Sequence, residues 1–133
     1  MPRSSEHRAK AERNRLVLAK LDPFADGDWI AIVAFYRAMH LVERLAARDN
    51  LHHKSHSERD KYLQSHRRHR EILRPYRFMF DAGHLARYGT ASKFDQAFPG
   101  DAAHSVLVGT HLAAVEVYVE AAFAPPAGGS PAP

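Results

Sequence analysis

No cysteine occurs in the 133-residue chain, which excludes a disulfide framework, thiolate metal ligands and a cysteine nucleophile. No apolar run approaches bilayer-spanning length, and the N-terminal MPRSSEHRAK lacks the apolar core of a signal peptide. A cytoplasmic protein without membrane contact is therefore expected. There is no GxSxG elbow, glycine-rich phosphate loop or HExxH pair, so the common signatures of serine hydrolases, phosphate-loop enzymes and zinc proteases are missing. Strand-like alternation, internal repeats and heptads are missing as well. Before Pro75 the only glycine or proline residues are Pro2, Pro23 and Gly27, so long helices meet little interruption.

What is present is helical periodicity. From Asp28 to Ala47, Trp29, Ile32, Val33, Tyr36, Met39, Val42 and Ala46 recur every three or four residues. Ile30, Phe35, Leu41 and Leu45 widen that face, which predicts a central helix covered on more than one side, capped by Asp28. Ser4 or Ser5 can cap a first helix running to about Lys20. Its apolar residues concentrate in its second half, so its first turns are expected to fray. Ser55-His-Ser-Glu58 has the capping-box spacing, with the serine hydroxyl accepting from a backbone N–H and Glu58 reaching back to the serine N–H. A third helix should start near His56 and bend near Arg74, because Pro75 cannot donate to residue 71. Residues 83 to 101 read as a long connection. Asp101 can cap a last helix whose stripe is Leu107, His111, Val115, Tyr118 and Ala122. The expected fold is one all-α domain, a four-helix up-down bundle with a long connection before the last helix. The final APPAGGSPAP, residues 124–133, should be disordered.

Charge is unevenly placed. The net of +4 arises from +4 over residues 1–20 and +5 over 51–80, against −2 over 21–50 and −3 after residue 80. Side by side, the two basic segments would make a positive face suited to a polyanion; alternatively they are simply well-solvated helices, since no aromatic stacking platform is visible in the sequence. Ten histidines raise the question of a metal. His53 and His56, and His66 and His69, have i,i+3 spacing, with His52 adjacent. The carboxylates near them in sequence, Glu58, Asp60 and Glu71, form no recognised ligand pattern, so no metal and no cofactor is expected. His40 and His111 read as core or interface histidines with hydrogen-bond partners. Arginine and histidine remain as the pair needed for metal-independent RNA cleavage, one stabilising charge on phosphate and the other moving a proton. Protonation of the histidines below about pH 6 should raise any RNA affinity.

Trp29, Phe35-Tyr36-x2-Met39-His40, Ser55-His56-x2-Arg59, Tyr76 and Ala86-Arg87-Tyr88, taken in this order, resemble a bacterial branch of the HEPN superfamily. The resemblance spans residues 8–123. It implies a HEPN-like four-helix domain there, between a flexible N-terminus at 1–7 and the tail. It further implies association with RNA or nucleotides, as a metal-independent endoribonuclease or a toxin–antitoxin or defence component, and a homodimer. The alternative is a non-catalytic dimerisation or adaptor module with a protein partner in a larger assembly. Ribonuclease members carry an Arg-x4-6-His motif near the last helix. Three such spacings occur here, Arg48 to His53, Arg59 to His66 and Arg77 to His84, and about three are expected by chance. The last helix has His104 and His111 but no arginine, which favours a branch that binds or assembles without cutting. The candidate site residues are His56, Arg59, His66, Arg87 and Tyr88. Arg59 and His66, seven apart, would share one helix face. Arg87 and Tyr88 either belong to a shared polar site or lock the loop after the third helix onto Ser55 and His56.

Overall fold

The computed structural model describes residues 3–125. Every regular element among them is helical, and no strand occurs. Six α-helices follow one another: α1 (Ser4–Leu18), α2 (Gly27–Arg48), α3 (His56–Ser65), α4 (Leu73–Tyr88), α5 (Ala91–Ala97) and α6 (Ala113–Phe123). A 3-10 segment, Arg67–Ile72, joins α3 to α4, and a π-helical segment, Ala103–Leu112, runs directly into α6. The predicted tail begins at residue 124, and its residues 126–133 lie outside the described part.

α2 is the hub, packed against α1, α4, the π segment and α6. Its buried face is rotated from the expected one. Ile30, Ala31, Ala34, Phe35, Ala38, Leu41, Val42, Leu45 and Ala46 are buried, whereas Trp29 is 57% exposed and Ile32, Val33, Tyr36 and Met39 are only half-buried. The reason is the run of alanines. Ala31, Ala34 and Ala38 let the neighbouring helices approach closely, and the larger residues counted in the sequence stripe flank that seam. Gly83 serves the same purpose on α4: a Cβ there would sit 3.3 Å from the Phe35 Cβ. The cap also differs, since α2 starts at Gly27 and Asp28 accepts from the Trp29 N–H, within the first turn, where a negative charge complements the helix dipole.

Residues 4–7, expected to be loose, are helical here. Polar contacts supply the anchor that the apolar pattern could not reveal: the Ser4 hydroxyl donates to the Arg44 carbonyl at 3.2 Å, and His7 is buried against His40. Arg37 then ties α1 to α6, donating to the Ala11 carbonyl at 2.8 Å and to Glu116 at 2.7 Å.

The break in the third helical stretch comes earlier than Pro75. Helix α3 ends at Ser65, the chain tightens into the 3-10 segment, and Pro75 sits in the first turn of α4, where a missing N–H costs no hydrogen bond. The last stretch also departs from the expected period. Leu107, Leu112, Val115 and Val119 are its buried large residues, and the five-residue step from Leu107 to Leu112 is the pitch of a π turn. His111, predicted in the stripe, is displaced to the side, where its ring stacks on Phe78 with centroids 4.2 Å apart. Joined end to end, Ala103–Phe123 is a 21-residue apolar helix, long enough by length and composition to cross a membrane, which corrects the sequence expectation that none exists. Such a helix says nothing by itself about location.

Candidate functional site

The most unusual group in the core is a carboxylate. Glu43 is 2% exposed, on the central helix between Val42 and Arg44. Local structure brings its partners. Helix α2 ends in a Schellman motif: Asn50 adopts the left-handed conformation (φ 60°), the Leu51 N–H bonds the Ala46 carbonyl at 2.9 Å, and the Asn50 N–H bonds the Ala47 carbonyl at 3.0 Å. The chain thereby doubles back over α2 and presents His52 and His53 to Glu43. His53 donates its backbone N–H to Oε2 (3.2 Å) and its Nδ1–H to Oε1 (3.1 Å).

Ser55 then caps α3, its hydroxyl accepting from the Glu58 N–H at 3.2 Å. The return bond differs from the expected one, since the Glu58 carboxylate accepts from the Ser55 hydroxyl rather than from its backbone N–H. One turn on, Arg59 points inward and donates from Nε to Glu43 Oε1 at 3.0 Å, with a second bond to the His53 carbonyl at 3.3 Å. His7 and His40 complete the cluster, their Nδ1 atoms 3.1 Å apart. His52 Nδ1 lies 3.6 Å from Glu43 Oε2, too far for a hydrogen bond, and neither it nor His7 Nε2 has a partner.

The five sequence candidates separate on this framework. Arg59 is buried and engaged by Glu43, so its guanidinium is not available to a phosphate. His56 stacks on Phe80, centroids 3.5 Å apart, with Tyr76 at 5.6 Å, and its Nδ1 is buried without a partner. His66 closes α3, its Nδ1 2.9 Å from the Tyr62 carbonyl, beside a hollow of about 270 Å³ shared with Arg48, Arg67, Arg68 and His69. Arg87 and Tyr88 lie at the far end of α4. Neither locks onto Ser55 or His56: Arg87 donates to the Tyr36 hydroxyl at 3.1 Å, and Tyr88 is 70% exposed.

A second feature appears on that end of α4. Tyr76, Phe80, His84 and Tyr88 are spaced by four residues and so share one helix face. The rings of Phe80, His84 and Tyr88 form a ladder that leads to solvent, Phe80 to His84 at 6.0 Å and His84 to Tyr88 at 4.8 Å, and the His56 ring joins Phe80 to the buried Tyr76. The Arg87 guanidinium lies 5.0 Å from the Tyr88 ring centre and 5.8 Å from that of Tyr36. The i,i+4 register of α4 thus brings these rings together, and Arg87 links them to Tyr36 of α2.

No protein-family model matches the sequence, and neither curated proteins nor solved structures yield a match.

The two basic segments meet different elements of the bundle. α1 packs on α2, while the basic 3-10 segment packs on α3, α4 and α6. The histidine charge expected near pH 6 is also reduced. Burial holds His7, His56, His69 and His111 below the ordinary imidazole range, and it lowers His40 to about 4. Glu43 and its surrounding imidazoles were not recognisable as a cluster because the ligand-like residues come from α1, α2 and a loop. The one available signal was Glu43, the only acidic residue of α2 beyond its first turn, three residues after His40.

Two outcomes follow. Glu43→Ala leaves Arg59 buried without its partner and should cost about 3–5 kcal/mol in urea unfolding, as should Arg59→Ala. The double variant should cost clearly less than both combined; simple additivity would show that the two do not act as a pair. Stability should also depend on pH. A buried imidazole with a lowered folded-state pKa stays neutral where the unfolded chain binds a proton. Its contribution is therefore full above 6.5 and is lost as the pH falls toward the His40 value of about 4. The urea midpoint should drop between pH 7.5 and pH 4.5 in EDTA-containing buffer, and equal midpoints would contradict neutral burial.

Proposed function

We propose that this chain is a HEPN-like helical module, cytoplasmic and of the toxin–antitoxin or defence type, that holds RNA or a nucleotide against the outer end of α4. The observation that carries the reading is the exposed face of His84, Tyr88, Tyr36 and Arg87. Aromatic rings beside a guanidinium suit an unpaired base, which stacks on the ring, and its phosphate, which meets the cation. Cleavage is the lesser part of the reading. Arg59 is committed to Glu43, so His66, with Arg67 and Arg68 around the adjoining hollow that Asp49 also lines, is the remaining candidate for metal-independent RNA cleavage among the sequence-derived histidine and arginine pairs of α3.

Incubation with total RNA and with a short single-stranded RNA, plus and minus EDTA, tests both parts. A mobility shift is expected at low salt. Stacking contributes about 1–3 kcal/mol per base, so Tyr88→Ala should weaken binding roughly 5- to 150-fold, and Arg87→Ala should weaken it and flatten its salt dependence. Both side chains are exposed, so melting temperatures should hardly move. No shift at low salt with the unaltered chain removes RNA from the account. Cleavage that survives EDTA and disappears in His66→Ala would identify the base.

A second reading, a non-catalytic homodimer or adaptor, is favoured by the surface of the last helix. Val117 is 72% exposed, in a groove with Ala113, Ala114 and Ala121, on the most apolar helix of the chain. Small residues at such a face let a second helix approach closely, and apolar contact persists in salt. Light scattering should then show a dimer in 1 M salt that Val117→Arg dissociates, whereas a monomer at micromolar concentration would count against this reading.

A further inference from the structure

We infer that His7, Glu43 and His52 form a binding site for a divalent first-row transition metal, with Zn²⁺ the ion whose chemistry they fit. One ligand atom from each of the three lies within 4.8 Å of the other two. Nothing in the RNA reading uses this cluster, so the two stand or fall separately.

Orphaned nitrogens carry the argument. His7 is 4% exposed, yet its Nε2 has no hydrogen-bond partner, and the buried Nδ1 of His52 has none either. An unsatisfied buried polar atom costs about 1–3 kcal/mol, and two within one cluster call for a common partner. Imidazole nitrogens and a carboxylate oxygen suit zinc, whereas magnesium and calcium take oxygen donors. Two imidazoles and a carboxylate also leave a fourth position for water or a ligand.

Each ligand is already oriented from outside. His7 Nδ1 is engaged by His40 at 3.1 Å, so Nε2 is the nitrogen left to face inward. Arg59 and His53 occupy Glu43 Oε1, and the His53 N–H fixes Oε2, which retains a free lone pair. Such supports set the tautomer and orientation of ligands in metal sites. Ligands around a single tetrahedral zinc at about 2.1 Å are separated by about 3.4 Å. His52 Nδ1 already lies 3.6 Å from Glu43 Oε2, so the contraction, at most about 1.4 Å, falls on the separations to His7. His52, on the loop after the Asn50 turn rather than on a helix, can follow that movement, and its partial exposure gives the ion a way in.

The full chain, stripped with EDTA and dialysed, is titrated with Zn²⁺ by calorimetry and with Co²⁺ by visible absorption. One equivalent of Zn²⁺ should bind, raise the melting temperature and release protons, and Co²⁺ should develop the intense bands of a low-coordinate site. His52→Gln, in a half-buried loop residue, should keep the metal-free melting temperature and lose at least tenfold in Zn²⁺ affinity, the minimum seen when even an outer support is removed. His104→Gln, away from the cluster, should bind as the unaltered chain does. No stoichiometric uptake, or equal affinity in His52→Gln, overturns the assignment. His7→Gln should lose the site as well; if it does not fold, the His52 result decides.

Discussion

A carboxylate as enclosed as Glu43 is stable in a helical core only if hydrogen-bond donors surround it, and most of the surrounding architecture can be understood as bringing them there. The Asn50 turn reverses the chain so that His53 arrives with two donors. The Ser55 cap then starts α3 in the register that sends Arg59 inward. From the same helix Asp60 makes a bidentate pair with Arg77, 2.6 and 2.7 Å, and so fixes α3 to α4. Two caps and one buried charge thus determine how a helix of poor apolar character sits on the bundle.

Helix α4 connects the enclosed polar cluster to the surface. Its ladder runs from Phe80, which the His56 ring joins to the fully buried Tyr76, to the exposed Tyr88. The outer rings are carried by a helix rather than by a loop, so their backbone positions are set by the packing of α4. The inner cluster and the outer face are consequently distinct pieces of chemistry on one scaffold.

The sequence revealed helices best where a local signal existed. Ser55 and Glu58 marked the start of α3, and the apolar run after Asp28 marked α2 as central. It misled where packing, not periodicity, chose the face: alanines at 31, 34 and 38 make the close seam on α2, and large residues such as Trp29 stay outside. The site was harder to read. His56 and Arg59 were singled out by the family resemblance, but Arg59 proved to be committed to a carboxylate sixteen residues earlier, and His7 joins from a helix with almost no apolar pattern. Contacts between elements leave no mark in local spacing. Arg87 and Tyr88 were visible as residues, while the grouping they form needed the four-residue register of α4 and a tyrosine from α2.

The wide turn between Leu107 and Leu112 works as a phase adjuster. One residue more in a helix advances every later side chain by about 100° around the axis. After the ten-residue π segment, Val115 and Val119 face the core while Glu116 meets Arg37 and Glu120 meets Arg44, on the same side of α2. A π segment turns by less per residue than an α-helix, so it offsets α6 from the rotation that an unbroken α-helix would give it. The irregularity therefore lets one continuous helix keep two alignments with its neighbour, much as a leap day keeps a calendar aligned with the year.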